Sequence, residues 1–188
     1  MQIFAHPCQI ELVEKKSRFI AIARSVRSEK EFSDELREIE AEYPDASHIV
    51  YAYRIQEDSG ALKVRAFDAG EPKSTAGKPI LAHLEGNDLI NSVVFVVRYF
   101  GGIKLGAGGL VRAYSRAAKI LVSSAVIVPY VIKVMRTCKM SHAEYPSFER
   151  RLKAVGGEIC DKSFSDEIVC KILIPELHAD AFTEWSSP

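Results

Sequence analysis

Between Leu89 and Ala143 the sequence contains no aspartate or glutamate, yet this stretch carries eight lysines and arginines. Acids outnumber bases on both sides of it. Residues 1–88 hold 16 acidic against 12 basic side chains, and residues 144–188 hold nine against five. The chain as a whole is neutral. The asymmetry therefore amounts to a cationic band between acidic flanks, which can attract a phosphate-rich partner even at zero net charge.

Other scarcities exclude whole classes of function. The four cysteines, Cys8, Cys138, Cys160 and Cys170, form no CxxC pair and have no histidine at finger-like spacing, which excludes a zinc finger and argues for reduced, mostly buried thiols. No run approaches the roughly 20 apolar residues needed to cross a bilayer, and the start lacks a basic-then-apolar leader, so a cytoplasmic protein without a membrane partner is expected. There is no G-x-x-x-x-G-K-[ST] and no G-x-S-x-G, and Lys78 follows Ser74 by four residues where an acyl-transfer motif has three. No catalytic residue, metal or cofactor is assigned on these grounds, which points away from a conventional enzyme.

What is present reads as α+β. Cys8–Glu14 and Phe19–Ala23 alternate as a hairpin, and a helix follows from the capping-box pattern at Ser28. His48–Ile55 and Val64–Phe67 are strands. A long turn over Asp68–Pro79 leads to a short helix through Ile80 and Leu84, and Val93–Val97 is a strand buried on both faces. A helix is expected from about Leu110 to Ser124. The pattern restarts near Pro129, as strand, helix, strand, strand, helix, with a second capping box at Ser141. This is the beginning of a ferredoxin-like unit whose last strand is absent from the sequence. The expected domains are 1–128 and 129–188, with 188 residues sufficient for two small cores.

Two features could carry binding chemistry. Gly101, Gly102, Gly106, Gly108 and Gly109 form a loop feeding a helix N-terminus, where free N–H groups favour an anion, although tight strand-to-helix turns select glycine too. Arg112, Arg116 and Lys119 share the exposed side of the following helix, opposite Leu110, Tyr114 and Leu121. The stripe continues into Arg98, Lys104, Lys133, Arg136 and Lys139 with no acid in the same stretch, whereas a merely solvated face mixes signs. His48 and His83 read as hydrogen-bonded structural residues. Asp68 and Glu71 describe an ordinary turn more readily than a metal site, and Ser74 and Thr75 read as caps of the next helix.

GEPKSTAGKPIL at Gly70–Leu81 and VVFVVRYFGGIKLGAGGLVRAYS at Val93–Ser115 together resemble the signature of the IMPACT/YigZ family, and the likeness extends upstream through HIVYAYRI. It implies a first domain of β-rich α/β fold like elongation factor G domain IV, and a second like elongation factor G domain V. It also marks His48, Asp68, Gly70, Glu71, Pro72, Thr75, Ala76, Gly77, Tyr99 and Tyr114 as motif residues. The function implied is regulation of translation, with nucleic-acid binding in bacterial members and, in eukaryotic ones, competition for a ribosome-associated activator. Ser74 stands where the family pattern usually has Gly, and Ala69 where it often has a second Asp, which counts against a metal or acid–base role at Asp68.

The leading expectation is a regulator that binds RNA or the ribosome through the basic surface. The alternatives are a nucleotide- or phosphate-binding enzyme or switch using the glycine loop, and a protein-interaction module competing for a translation-factor partner.

Overall fold

The computed structural model describes residues 1–57 and 60–185, and the chain divides into two compact units, Met1–Tyr130 and Val131–Pro188. The first is built on an antiparallel five-stranded sheet in the order β2-β3-β6-β4-β5. Its strands are β2 (Cys8–Glu14), β3 (Ser17–Ser25), β4 (His48–Gln56), β5 (Leu62–Phe67) and β6 (Ser92–Tyr99). Helix α1 (Glu29–Glu42) covers one face through Phe32 and Ile39, against Ile20, Ile22, Tyr51, Tyr53 and Phe95. Helices α2 (Gly77–Gly86) and α3 (Ala107–Ser124) cover the other, where Ile80, Leu84, Tyr114 and Leu121 pack on Phe19, Val50, Val94 and Val96. Central β6 is thus buried on both faces, which is why it reads as an unbroken apolar run. Two short strands not legible in the sequence, β1 (Gln2–Phe4) and β7 (Ile127–Pro129), pair with each other.

In the second unit β8 (Lys133–Met140), β9 (Glu158–Phe164) and β10 (Ile168–Pro175) form a sheet in the order β8-β10-β9, as the first three strands of a ferredoxin-like motif do. Its core joins alternate residues of β10 to Phe148 and Leu152 of α4 (Tyr145–Ala154) and to Phe182. The expected final helix is a run of 3-10 turns, Glu176–Trp185. The first strand of this unit begins later than expected, at Lys133 rather than Val131, and runs to Met140. At Ser141 the box is only half formed. Glu144 accepts from the Ser141 amide at 2.9 Å, but the hydroxyl also donates to Glu144 and so does not cap the helix. All four cysteines are free thiols, with Cys138 and Cys170 buried and Cys160 exposed.

Candidate functional site

Strand β6 delivers Arg98 to the α3 side of the sheet, where its cross-strand neighbours are Phe19 and His48. The residue is only 5% exposed. A buried charge must be paired and hydrogen-bonded, and this one is. Its guanidinium donates to Glu71 Oε1 at 2.5 Å, and the Tyr114 hydroxyl donates to the same oxygen at 2.7 Å. A longer contact, 3.4 Å, reaches Ser17 Oγ, which also accepts from the Gly101 amide at 3.3 Å. The rings of Phe19 and Phe100 lie 5.5 and 5.6 Å from the guanidinium carbon. Burial first, and the Glu71 carboxylate second, push the Tyr114 phenol well above its ordinary range, so it remains a donor.

The exposed cationic stripe therefore does not include Arg98. Its charge is balanced inside the fold by an acid 27 residues upstream that pairing along the sequence does not reveal. Two other cations expected to be unopposed also have partners. Arg116 lies 3.3 Å from Glu14, and Lys133 pairs with Glu158. Lys104, Arg112 and Lys119 are exposed, as are Lys15 and Lys16 at the β2–β3 turn. A hollow of about 270 Å³ brings Lys15, Glu14, Leu105, Gly109, Arg112 and Arg116 together. Arg136 and Lys139 lie on β8, in the second unit.

The glycine loop is held against the sheet by backbone contact. A side chain at Gly101 would collide with the Lys16 carbonyl, its Cβ falling 1.9 Å from that oxygen. Gly102 has φ of +84° and is exposed. Gly106, with φ of +72°, is the N-cap of α3, so the helix starts at Ala107, one turn earlier than the apolar stripe indicates. Among the described residues no side chain caps that end, and its first turn, which includes Gly108 and Gly109, has no acid. The positive end of the helix dipole is left open.

A cleft of about 290 Å³ lies beside it, lined by His48, Glu71 and Arg98 from the sheet side and by Lys104, Gly106 and Ala107 from the loop. Pro72, Phe100 and Leu110 complete its apolar wall. His48 Nδ1 lies 2.8 Å from the Ala69 carbonyl, which can only accept, so the proton sits on Nδ1. In the neutral ring Nε2 then carries the lone pair, 3.9 Å from Glu71 Oε1.

Asp68 performs the capping that Ser74 and Thr75 were expected to supply. Its carboxylate accepts from the amides of Ser74 at 2.7 Å, Ala76 at 3.1 Å and Gly77 at 2.8 Å, at the start of α2. The Thr75 hydroxyl instead donates to the Pro72 carbonyl at 2.7 Å. Gly77 packs against the β5 backbone, Gly70 lies beside the His48 ring, and Tyr99 stacks under Arg18 on the opposite face of the sheet. Ser17, Phe100, Lys15 and Lys16 belong to the site without having been singled out. Ser17 is the one signal available, as a small polar residue opening an apolar strand.

These features define a two-unit α+β protein whose first unit sets a buried Arg–Glu–Tyr network under a glycine loop and an uncapped helix end. The profile of the Impact N-terminal domain matches residues 15–122, and that of a domain of unknown function (DUF1949) matches residues 138–185. The chain is 34% identical over 176 residues to the Bacillus subtilis protein IMPACT family member YvyE, covering 93% of this chain and 80% of that one. It is 30% identical over 172 residues to Escherichia coli IMPACT family member YigZ, covering 90% and 83%. A crystal structure described as that of a hypothetical protein superposes with a TM-score of 0.68 at 29% identity, covering 97% of this chain and 89% of the other. The chain belongs to the IMPACT family.

Proposed function

We propose that this chain is a cytoplasmic, translation-associated regulatory protein that binds RNA through the cationic surface around the first turns of α3. The observation that carries the reading is the open N-terminus of α3, with exposed Lys104 and Arg112 beside it and Lys15 across the hollow, while Lys16 at the same turn and Lys119 further along α3 are also exposed. An oriented set of free amides and a cluster of single-sign charges are what a phosphate backbone is bound by, in any sequence. Membership in the IMPACT family supports the link to translation. No helix among the described residues is long and apolar enough to cross a membrane.

The test is binding to ribosomal RNA fragments across salt, for the wild type and for Arg112→Glu/Arg116→Glu. A site using about four cations gives a log–log salt slope of about −3 to −4, reduced by roughly one for each cation removed. Both substitutions fall on exposed positions, and the one ion pair lost, Arg116–Glu14, lies at the surface where such pairs contribute little, so thermal melts should differ only slightly. Equal affinity and equal slope for the two proteins would remove α3 from the functional account. RNA-independent capture of a translation factor would then favour the protein-interaction reading.

A further inference from the structure

We infer that the cleft between the Arg98–Glu71 network and the start of α3 is a binding site for a single phosphomonoester, with the attached base or sugar resting on Phe100. The inference rests on the reading of the α3 N-terminus as an anion site, and it assigns to that end a defined pocket and ligand class distinct from a diffuse RNA surface.

Four observations converge. The helix end is uncapped, carries no acid in its first turn, and lines the cleft through Gly106 and Ala107. Lys104, on the same wall, is exposed and forms no ion pair among the described residues. Arg98, at 5% exposure, still has its Nε without a hydrogen-bond partner, so a buried cation lining the cleft keeps a donor unspent. An unpaired buried donor is costly in a folded protein, so Glu71 and Ser17 leave this enclosed guanidinium incompletely satisfied at the wall of the cleft. Among the described residues the only acid lining the cleft is Glu71, and both Arg98 and Tyr114 donate to its Oε1, so the field left over from Lys104 and the helix dipole is positive.

The size and the walls select the ligand. About 290 Å³ admits a phosphate with one ring attached, not a duplex. Phe100 is 49% exposed while contributing to the wall, and an exposed aromatic beside an anion site offers a stacking face to a base. Its ring already packs on the Arg98 guanidinium, which holds it in place. His48 Nε2, fixed as the acceptor in the neutral ring by the Ala69 carbonyl, can receive a hydrogen bond from a ribose hydroxyl or a protonated phosphate oxygen.

The same chemistry could come from a free mononucleotide or from the 5′ end of an RNA, and the experiment separates them. The full chain, 15N-labelled, is titrated with AMP, inorganic phosphate, adenosine, and a short oligoribonucleotide with and without its 5′-phosphate. AMP and the phosphorylated oligonucleotide should shift the amides of residues 101–110 with dissociation constants of about 1 mM or tighter, as a few charge-assisted bonds give. Inorganic phosphate should shift the same amides more weakly, and adenosine and the 5′-hydroxyl form should not. Of AMP and the oligonucleotide, the tighter identifies the source, and either supports the site. Lys104→Glu should weaken AMP and phosphate alike by roughly tenfold, and Phe100→Ala should weaken AMP about fivefold while leaving inorganic phosphate unchanged. No shift at about 10 mM AMP, an equal response to adenosine, or indifference to Lys104→Glu overturns the inference. Salt-dependent retention on RNA without an AMP response overturns the cleft and leaves the surface reading standing; the reverse pattern removes the surface and leaves the cleft.

Discussion

Arg98 and Glu71 form an ion pair at 2.5 Å with side-chain exposures of 6% and 3%, between the end of a buried strand and a surface loop. Removing one partner leaves the other charge almost wholly buried without its counter-charge. Glu71→Ala or Arg98→Ala should therefore destabilise the first unit by about 3–5 kcal/mol. Tyr114→Phe, which deletes only the hydroxyl donated to the same carboxylate, should cost about 1.5–3 kcal/mol. Urea unfolding monitored by circular dichroism checks both. If Glu71→Ala melts like the wild type, the pair is not what holds the loop to the sheet.

Asp68 is the second acid in this turn, and its role is local. It satisfies the amide of Ser74 in the turn before α2 and the amides of Ala76 and Gly77 that the start of the helix leaves unbonded. Asp68→Ala should cost about 1–2 kcal/mol, at the upper end for a single cap because three amides share one carboxylate. Ser74 between them has φ of +63°, which costs an L-residue about 1–2 kcal/mol. Ser74→Gly relieves that strain against an extra unfolded-chain entropy of about 0.5–1 kcal/mol, for a net gain of about 0.5 kcal/mol. Thermal melts of the two variants should move in opposite directions.

The strain at Ser74 leaves no trace in local sequence pattern, whereas much of the surrounding frame does. Strands, helices and the division of labour between sheet faces follow from periodicities of two and 3.6, so β3, β6, α1 and the buried stripe of α3 are readable from the chain alone. The glycine loop is readable because glycine reports on backbone geometry directly. The pairing of charges is not. Arg98 meets Glu71 27 residues away and Arg116 meets Glu14 102 residues away, and neither separation leaves a local pattern. For the same reason a stretch with no acids looks unopposed, although acids from β2 and from the 68–77 turn fold back onto it. Helix α3 starts ahead of its first apolar residue because that first turn is built of small residues with nothing to bury.

His83 on α2 and Ser115 on α3 are 2.9 Å apart, Nε2 to Oγ, across the contact between the two helices. Burial first, and the charge of Lys119 second, lower the imidazole pKa below its ordinary 6.5. The sign follows from which state takes up the proton first. With the folded value below the unfolded one, the unfolded chain protonates earlier as pH falls. This residue's contribution is thus fully present above about pH 6.5 and is lost as pH drops below it toward the folded value. The melting temperature should fall between about pH 7 and pH 5, and His83→Gln, which does not titrate but can still bond to Ser115, should flatten that part of the profile. An unchanged pH dependence in His83→Gln would place the acid sensitivity elsewhere.

The hairpin between β2 and β3 closes through Lys15 and Lys16, with φ of +44° and +65°. A two-residue turn with both central residues at positive φ is the geometry for which Asn-Gly is strongly preferred, and lysine has no local reason to occupy it. Both side chains are exposed, and Lys15 lines the hollow that also holds Arg112 and Arg116. Strain retained in an exposed turn is explained if the charges it presents are needed for binding. Lys15→Asn/Lys16→Gly should therefore raise stability by about 1 kcal/mol in denaturant unfolding. The same variant should bind ribosomal RNA fragments more weakly, with its salt slope reduced by up to about two. Stability gained with no loss of RNA affinity would mean that the lysines serve no phosphate, and the cationic surface would shrink to Lys104 and the face of α3.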